Sequence, residues 1–308
     1  MNILITGGLG FIGFHISNFL IKLGHKIVIL DKGQNSKIQY HRKEKLLTSN
    51  IHIGELQNEQ LLSTILNDEH IDTIIHLAGK SGVSQSSNMS DYTNDNIVAT
   101  SKLISGLTSN IKRVLYASSS SVVGGMNITN STIELPVTHC PLSYYGVTKM
   151  TNEMMFEQYS KNSDIKFIGM RFHTVYGSYG RPDMAYFRFA DSIKNNEPIS
   201  LYGDQYRDFT HIQDVVMSIA SLLDCEIDKH EIVNISNNAP DKVITLIDNL
   251  FELMNKRTNI IYKDARNCDP SITWGNNDKL FQLTGFRPNI KLKDGLTEFI
   301  SWYNENKV

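Results

Sequence analysis

Cysteine is scarce in this chain, three among 308 residues. Cys140, Cys225 and Cys268 lie too far apart for a CxxC pair or a metal knuckle. They provide no disulfide framework and read as the reduced thiols of a cytoplasmic protein. Long apolar runs are missing too. No stretch reaches the roughly 18 residues of a membrane span, and the opening MNILITGG lacks the basic region of a secretory leader. A cytoplasmic protein with no membrane partner is the expectation. Neither sign of charge is in excess, since 30 Lys and Arg face 32 Asp and Glu for a formal net charge of −2. Charge-driven binding of nucleic acid is thereby excluded as a default. The ten histidines stand singly, without HExxH or a His/Cys cluster, so no metal is expected.

What the chain does have is the balance of a globular protein, 41% hydrophobic and 20% charged. In the first half, short β-branched runs alternate with longer amphipathic segments. Ile3–Thr6, Lys26–Leu30, Thr73–Leu77, Arg113–Ala117 and Lys166–Met170 have strand length, and Phe11–Leu23 and Asn58–Leu66 have helical spacing. This alternation predicts βαβ units and an α/β fold, a Rossmann-like doubly wound parallel sheet. After residue 172 the pattern changes to Gly- and Pro-bearing loops around candidate helices at Met184–Asn195, Ile212–Leu223, Val243–Asn255 and Leu292–Asn306. We therefore expect a nucleotide-binding domain over residues 1–172 and a smaller α/β substrate lobe over 173–308. No low-complexity linker separates them, so an interleaved boundary is expected.

The segment ILITGGLGFIGFHISNFL places Gly7, Gly10 and Gly13 where the first strand meets the first helix. Small residues there let the backbone turn tightly against a pyrophosphate, whose charge the helix N-terminus meets. Asp31 ends the second strand, where a carboxylate can accept from ribose hydroxyls and repel a 2′-phosphate, favouring NAD over NADP. Lys32 beside it could tolerate the phosphate, and Asp31 could instead cap a turn.

Tyr145 and Lys149 lie in SYYGVTKMTNEMMF, which reads as a helix. Four residues turn about 40° past a full revolution, so the two share a face, whereas Tyr144 points elsewhere. An ammonium near a phenol stabilises the phenolate, which predicts a lowered pKa and a general base at Tyr145. Upstream, VLYASSSSVVGG ends in four serines at a sheet's carboxyl edge, where open α/β sheets bind ligands. The plainer alternatives are an ordinary helix-surface pair and a polar loop.

TGGLGFIG, HLAG, ASSSSVVG, YGVTK and RDFTHIQD, in that order, resemble the extended short-chain dehydrogenase/reductases of the NAD-dependent epimerase/dehydratase group. The resemblance spans essentially the whole chain. In that group the catalytic Ser/Thr stands three residues before V-Y-G; here V-V-G begins at Val122, which selects Ser119, and Val123 replaces the tyrosine. Ser120 and Ser121 occupy the Asp-Glu positions of the 4,6-dehydratases, so acid and base for water elimination are missing. The resemblance implies NAD contacts from Gly7, Gly10, Phe11, Ile12, Gly13, Asp31, Lys32, Glu55, Leu56, Leu77, Ala78, Gly79, Asn96, Tyr145 and Lys149.

Within the group, RFHTVYGSYGRPDMAYFRF and DPSITWGNNDKLFQLTGFRPN resemble the UDP-glucuronate 4-epimerase branch. That branch implies inversion at C4 of a UDP-sugar through a transient 4-keto form. It implies sugar contacts from Ser119, Ser120, Ser121, His173 and Thr174, with Arg181 on the hexuronate carboxylate. Arg207 and Arg266 fall to pyrophosphate or ribose, and Asp269 to the ribose hydroxyls. Internal salt bridges are the alternative use of those arginines. Departures from the branch include Ser84 for an arginine, His173 for an aromatic, Tyr179 for tryptophan and Glu55-Leu56 for Asp-Ile. A dehydrogenase or reductase of another nucleotide sugar, and a non-catalytic NAD-binding regulator, are the competing readings. A homodimer is expected, because in the resembled group the helices matching those near Asn94 and Tyr145 pair into a four-helix bundle. The apolar faces there include Ile97, Leu103, Ile104, Met150, Met154 and Met155.

Overall fold

The computed structural model describes residues 1–33, 36–48, 50–82, 88–124, 130–134, 141–266 and 269–306. In chain order its strands are β1 (Asn2–Thr6), β2 (Lys26–Asp31), β3 (Ile51–Ile53), β4 (Thr73–His76), β5 (Arg113–Ser119) and β6 (Lys166–Phe172). They continue as β7 (Thr174–Tyr176), β8 (Ile199–Tyr202), β9 (Tyr206–His211), β10 (His230–Ile235), β11 (Pro240–Lys242) and β12 (Ile260–Lys263). Seven of them form one parallel sheet in the order β10-β6-β5-β4-β1-β2-β3. Order reverses at β1, which opens a crevice at the carboxyl ends of β1 and β4.

Its strands are continuous apolar runs because both faces are covered. Ile3 and Ile5 pack with Ile16 and Leu20 of the helix Phe11–Lys22 and with Val215 and Ile219 of the helix Ile212–Leu222. Leu4, between them, packs on the opposite side with Leu62, Leu103 and Phe156. A separate core around Phe187, Leu246, Leu250 and Phe299 belongs to the C-terminal half, where β9 pairs with β7 and β11, and β8 with β12. Residues beyond 172 also return to the first sheet: β10 pairs with β6, setting Ile235 beside Phe172.

Several boundaries move from the sequence expectation. β5 and β6 each run two residues farther than the apolar runs, because the ladder continues through Ser118 beside Arg171 and Ser119 beside Phe172. The helix Lys37–Glu44 buries only Ile38 and Arg42, too narrow a stripe to show as periodicity, and it rests on a capping box between Ser36 and Gln39. Leu103 and Ile104, expected on the face that pairs into the four-helix bundle, are buried at 0% and 9% exposure in the core under the sheet. Tertiary packing on Phe156 and Leu62 claims the apolar stripe that periodicity alone left unassigned. Cys225 is buried and free; Cys140, Cys268 and Ser84 lie outside the described residues.

The helix Tyr144–Ser160 is fixed to β5 and β6 along its length. Ser143 caps its start by accepting from the Gly146 N–H at 3.1 Å. A Cβ on Gly146 would stand 2.5 Å from the Ser121 carbonyl oxygen, so glycine lets the helix seat against the serine run. Farther along, Glu153 accepts two bonds from Arg171, both at 2.8 Å, and one from the Ser118 hydroxyl at 2.5 Å. Both ionic side chains are buried, and removing one partner strands the other charge. Glu153→Ala should therefore lower the unfolding free energy by about 3–5 kcal/mol. Denaturant unfolding that shows a loss under about 1 kcal/mol would mean the pair does not hold this helix.

Candidate active site

The glycine turn brings three backbones together. Gly7 follows β1 at φ +72, and a Cβ on it would lie 2.7 Å from the Ala78 nitrogen. On Gly13 a Cβ would lie 2.3 Å from the Gly7 carbonyl oxygen. The Gly10 N–H closes the turn onto that carbonyl at 2.9 Å. Gly10 caps the helix without a side-chain bond, so the first-turn amides of Phe11, Ile12 and Gly13 are left to an anion. A cradle that any side chain would fill, at an uncapped helix start, fits a dinucleotide pyrophosphate.

Asp31 is 8% exposed, and its carboxylate accepts from the Leu9 N–H at 3.0 Å and the Gly33 N–H at 2.9 Å. It does hold a turn, yet a carboxylate offers about four lone-pair sites, so acceptor capacity remains for ribose hydroxyls. Lys32 pairs with Asp95 at 2.6 Å, and its charge is thus already met. Leu56 sends its side chain into the core, while Glu55 stays exposed after β3. Leu77 and Ala78 follow β4, their N–H groups both taken by Thr6. A Cβ on Gly79 would stand 2.8 Å from Asn96 Oδ1 and 3.5 Å from Lys149 Nζ, so this loop abuts the Tyr/Lys helix. Asn96 acts there as a bracket. Its Oδ1 accepts from the Lys80 N–H, and its Nδ2 donates to the Lys80 carbonyl and to Thr148 Oγ1.

Ser119, Tyr145 and Lys149 meet at the carboxyl edge of β5. Ser119 ends the strand, accepts from the Ser121 N–H at 3.1 Å and hydrogen-bonds the Tyr145 phenol. Tyr144 turns away to Thr93, 2.8 Å from its hydroxyl. The acid–base balance differs from the expectation of a lowered phenol. Burial pushes Tyr145 above the ordinary tyrosine value, and the Ser119 bond and the Arg181 charge oppose this without overcoming it. Lys149 Nζ stands 6.0 Å from the Tyr145 ring centre and donates to the Ala117 carbonyl at 3.0 Å. Burial brings its own ammonium down to about 8. Desolvation outweighs pairing here because the phenol and the amine are both taken out of water.

Ser120 and His173 line a small cavity with Thr132, Pro270 and Trp274. Burial holds His173 down to about 4, so its ring is neutral at pH 7. Ser121 follows on the short turn after β5, and Thr174 opens β7 beside Phe209. Arg181 makes a two-bond ion pair with Asp183 and also donates from Nη1 to Ser81. Its charge is close enough to act on Tyr145. Arg207 donates to the carbonyls of Tyr206 and Pro270 and faces Asp269 at 3.9 Å. Arg266, exposed, lies 3.7 Å over the Tyr202 ring. Internal pairing thus engages Arg181 and Arg207, as the alternative reading of the arginines held. Gly146 and Arg42 were not singled out in the sequence. A glycine inside a helical pattern marks close packing and could have flagged Gly146, whereas Arg42 sits in a basic run that reads as a solvated face. No group of His, Cys, Asp and Glu suited to a metal occurs among the described residues.

The parallel sheet, the glycine turn and the Ser/Tyr/Lys cluster define a dinucleotide-dependent α/β enzyme. This chain belongs to the NAD-dependent epimerase/dehydratase family, whose model matches residues 3–236. It is 33% identical to Protein CapI of Staphylococcus aureus over 99% of each chain. Identity to the UDP-glucuronate 4-epimerase of Thermodesulfobacterium geofontis is 32%, over 98% of this chain and 96% of that one. The crystal structure of UDP-glucuronic acid 4-epimerase from Bacillus cereus, in complex with UDP-glucuronic acid and NAD, matches with a TM-score of 0.90 at 29% identity, covering 99% of both chains.

The direction of the Tyr145 shift is measurable by ultraviolet difference titration of nucleotide-free protein, wild type against Tyr145→Phe. Phenolate from residue 145 should form only above the ordinary tyrosine range. A difference signal emerging near neutrality would refute the dominance of desolvation. The Lys149 shift has a sign for stability as well. Its folded value of about 8 lies below the ordinary lysine value, so the burial penalty is full below pH 8. That penalty is relieved as pH rises from there towards about 10.4.

Proposed function

We propose that the chain is an NAD-dependent 4-epimerase of UDP-linked sugars, with UDP-glucuronate and UDP-galacturonate as its substrate pair. The observation that carries this reading is the meeting of Ser119, Tyr145 and Lys149 at one sheet edge, within electrostatic reach of Arg181. The first 172 residues hold the cofactor and residues 173–308 the nucleotide sugar, with β10 and the helix Ile212–Leu222 returned to the first unit. The cradle at Gly7, Gly10 and Gly13 holds the NAD pyrophosphate, and Asp31 its adenosine ribose. When bound, NAD supplies a reversible hydride acceptor for C4.

Tyr145 takes the proton of the sugar 4-hydroxyl, and Ser119 orients that oxygen. Lys149, held by the Ala117 carbonyl, keeps a cation beside the phenol, and the Ser119 bond and Arg181 favour the anionic form against burial. The flat 4-keto sugar presents either face if it turns about a pyrophosphate that Arg207 and Arg266 anchor. Tyr145 then returns its proton to the 4-oxygen of the inverted centre. Arg181 meets the uronate carboxylate, and its fixed pairing with Asp183 sets the guanidinium plane.

Proton NMR with UDP-glucuronate and catalytic NAD should show UDP-galacturonate accumulating without net NADH. Tyr145→Phe should abolish turnover and leave UDP-glucuronate binding largely intact. Arg181→Ala should weaken uronate binding by about 2–4 kcal/mol, a factor of roughly 30 to 1,000 in kcat/KM, with neutral UDP-hexoses much less affected. An Arg181→Ala enzyme with an unchanged uronate preference would sink the carboxylate assignment, and stoichiometric NADH would turn the reading to a dehydrogenase.

The assembly proposed is a homodimer joined through the helices Met89–Tyr92 to Ala99–Ser105 and Tyr144–Ser160. Met154 is 63% exposed and Ile97 and Met150 are half-buried, which leaves an apolar strip for a second copy. Light scattering at micromolar concentration should give about twice the chain mass, and Met154→Glu should yield monomer. A wild-type monomer would defeat this proposal.

A further inference from the structure

The proposed chemistry leaves one buried charge unused. Arg42, on the helix Lys37–Glu44, is 2% exposed. Its guanidinium contacts carbonyl oxygens: Nε donates to Tyr179 at 2.9 Å, Nη2 to Gly180 at 3.1 Å and Nη1 to Leu9 at 3.2 Å. Burial lowers its pKa to about 10, so the group is charged at neutral pH. A buried guanidinium answered by carbonyl dipoles is an expensive way to fill space, and apolar packing would serve stability alone at least as well.

The three carbonyls come from two segments far apart in the chain. Leu9 lies in the glycine turn, and its N–H is held by Asp31 Oδ2 at 3.0 Å. One residue of the cradle is thus gripped on its N–H by an acid and on its carbonyl by a base. Tyr179 and Gly180 immediately precede Arg181. Tyr179 adopts a left-handed backbone with φ +57, and its ring packs 4.8 Å from Phe14 and 5.0 Å from Trp302, centre to centre. From the first helix, His15 Nε2 adds a bond to the Ser178 carbonyl at 2.9 Å. The loop that presents Arg181 is therefore tied to the same helix that the glycine turn opens.

We propose that Arg42 is a positioning residue that fastens the glycine turn to the loop presenting Arg181, setting the spacing between the dinucleotide pyrophosphate and the anionic end of the substrate. A planar guanidinium reaches the three carbonyls from three separate nitrogens, whereas an ammonium must draw every bond from one. The identity of the two ligands rests on the epimerase reading above, but the coupling of the two segments does not.

Arg42→Lys keeps the charge and loses the fork; Arg42→Met loses both. Hydrogen exchange on ligand-free protein should show the amides of Leu9 and Gly10 and of Arg181, Asp183 and Met184 exchanging about tenfold faster or more in both variants, with the helix Leu292–Asn306 unchanged. NAD should dissociate from Arg42→Lys about tenfold faster, and KM for UDP-glucuronate should rise more than kcat falls. Leu250→Ala, a cavity in the C-terminal core, serves as the control for lost stability. It should lower Tm as much as Arg42→Lys without moving exchange in those segments. The proposal is overturned if Arg42→Lys exchanges like wild type, if one segment loosens without the other, or if Leu250→Ala reproduces the pattern. Should Arg42→Met not fold, Arg42→Lys decides the matter. Wild-type protein that binds no NAD would sink the epimerase reading and leave the exchange result standing.

Discussion

A backbone contact that no side chain could survive underlies the whole site. The first helix starts against the Gly7 carbonyl with only hydrogen on the Gly13 α-carbon, where a methyl carbon would stand 2.3 Å from the Gly7 oxygen. That closeness puts an uncapped helix N-terminus at the crevice between β1 and β4. It brings the residues after β4 to the same turn, and it leaves Leu9 where Asp31 can hold it. The cradle is therefore a product of backbone approach, with side chains supplying its supports.

Those supports are mostly buried charges, and burial dominates their behaviour. Arg171 and Glu153 answer each other and fix the helix that carries Tyr145 and Lys149. Lys149 has the Ala117 carbonyl and Arg42 has carbonyls from two loops, yet burial still takes both below their ordinary pKa. The Tyr145 phenol moves the other way, because removing a neutral acid from water disfavours its anion. A site built in this manner is pre-arranged but not pre-ionised. The chemistry must draw on charge that arrives with the ligands or is focused by Ser119 and Arg181.

Much of this architecture was legible before any coordinates. Hydrophobic runs of strand length alternating with amphipathic segments are a direct imprint of a sheet covered on both faces. Gly7, Gly10 and Gly13 announced the turn because only glycine permits that approach. The spacing of Tyr145 and Lys149 separated them from Tyr144 by helix geometry alone. Boundaries were less legible where polar residues continue a ladder, as at Ser118 and Ser119, since serine carries no apolar signal. The helix Lys37–Glu44 was invisible for the same reason, with two buried residues in eight.

The sequence by itself determined the doubly wound fold, the glycine turn and the shared helix face of Tyr145 and Lys149, because each depends on local periodicity or on a residue type no other can replace. Tertiary structure alone decided which charges are buried and what answers them. Leu103 and Ile104 went to the core, Lys32 to Asp95, and Arg42 to the carbonyls of Leu9, Tyr179 and Gly180. It also decided the direction of the Tyr145 shift. Such outcomes depend on desolvation and on partners more than 60 residues away in the chain for Lys32 and more than 130 for the Tyr179 loop. No local pattern records those partners, because the free energy of a charge is set by what surrounds it in space.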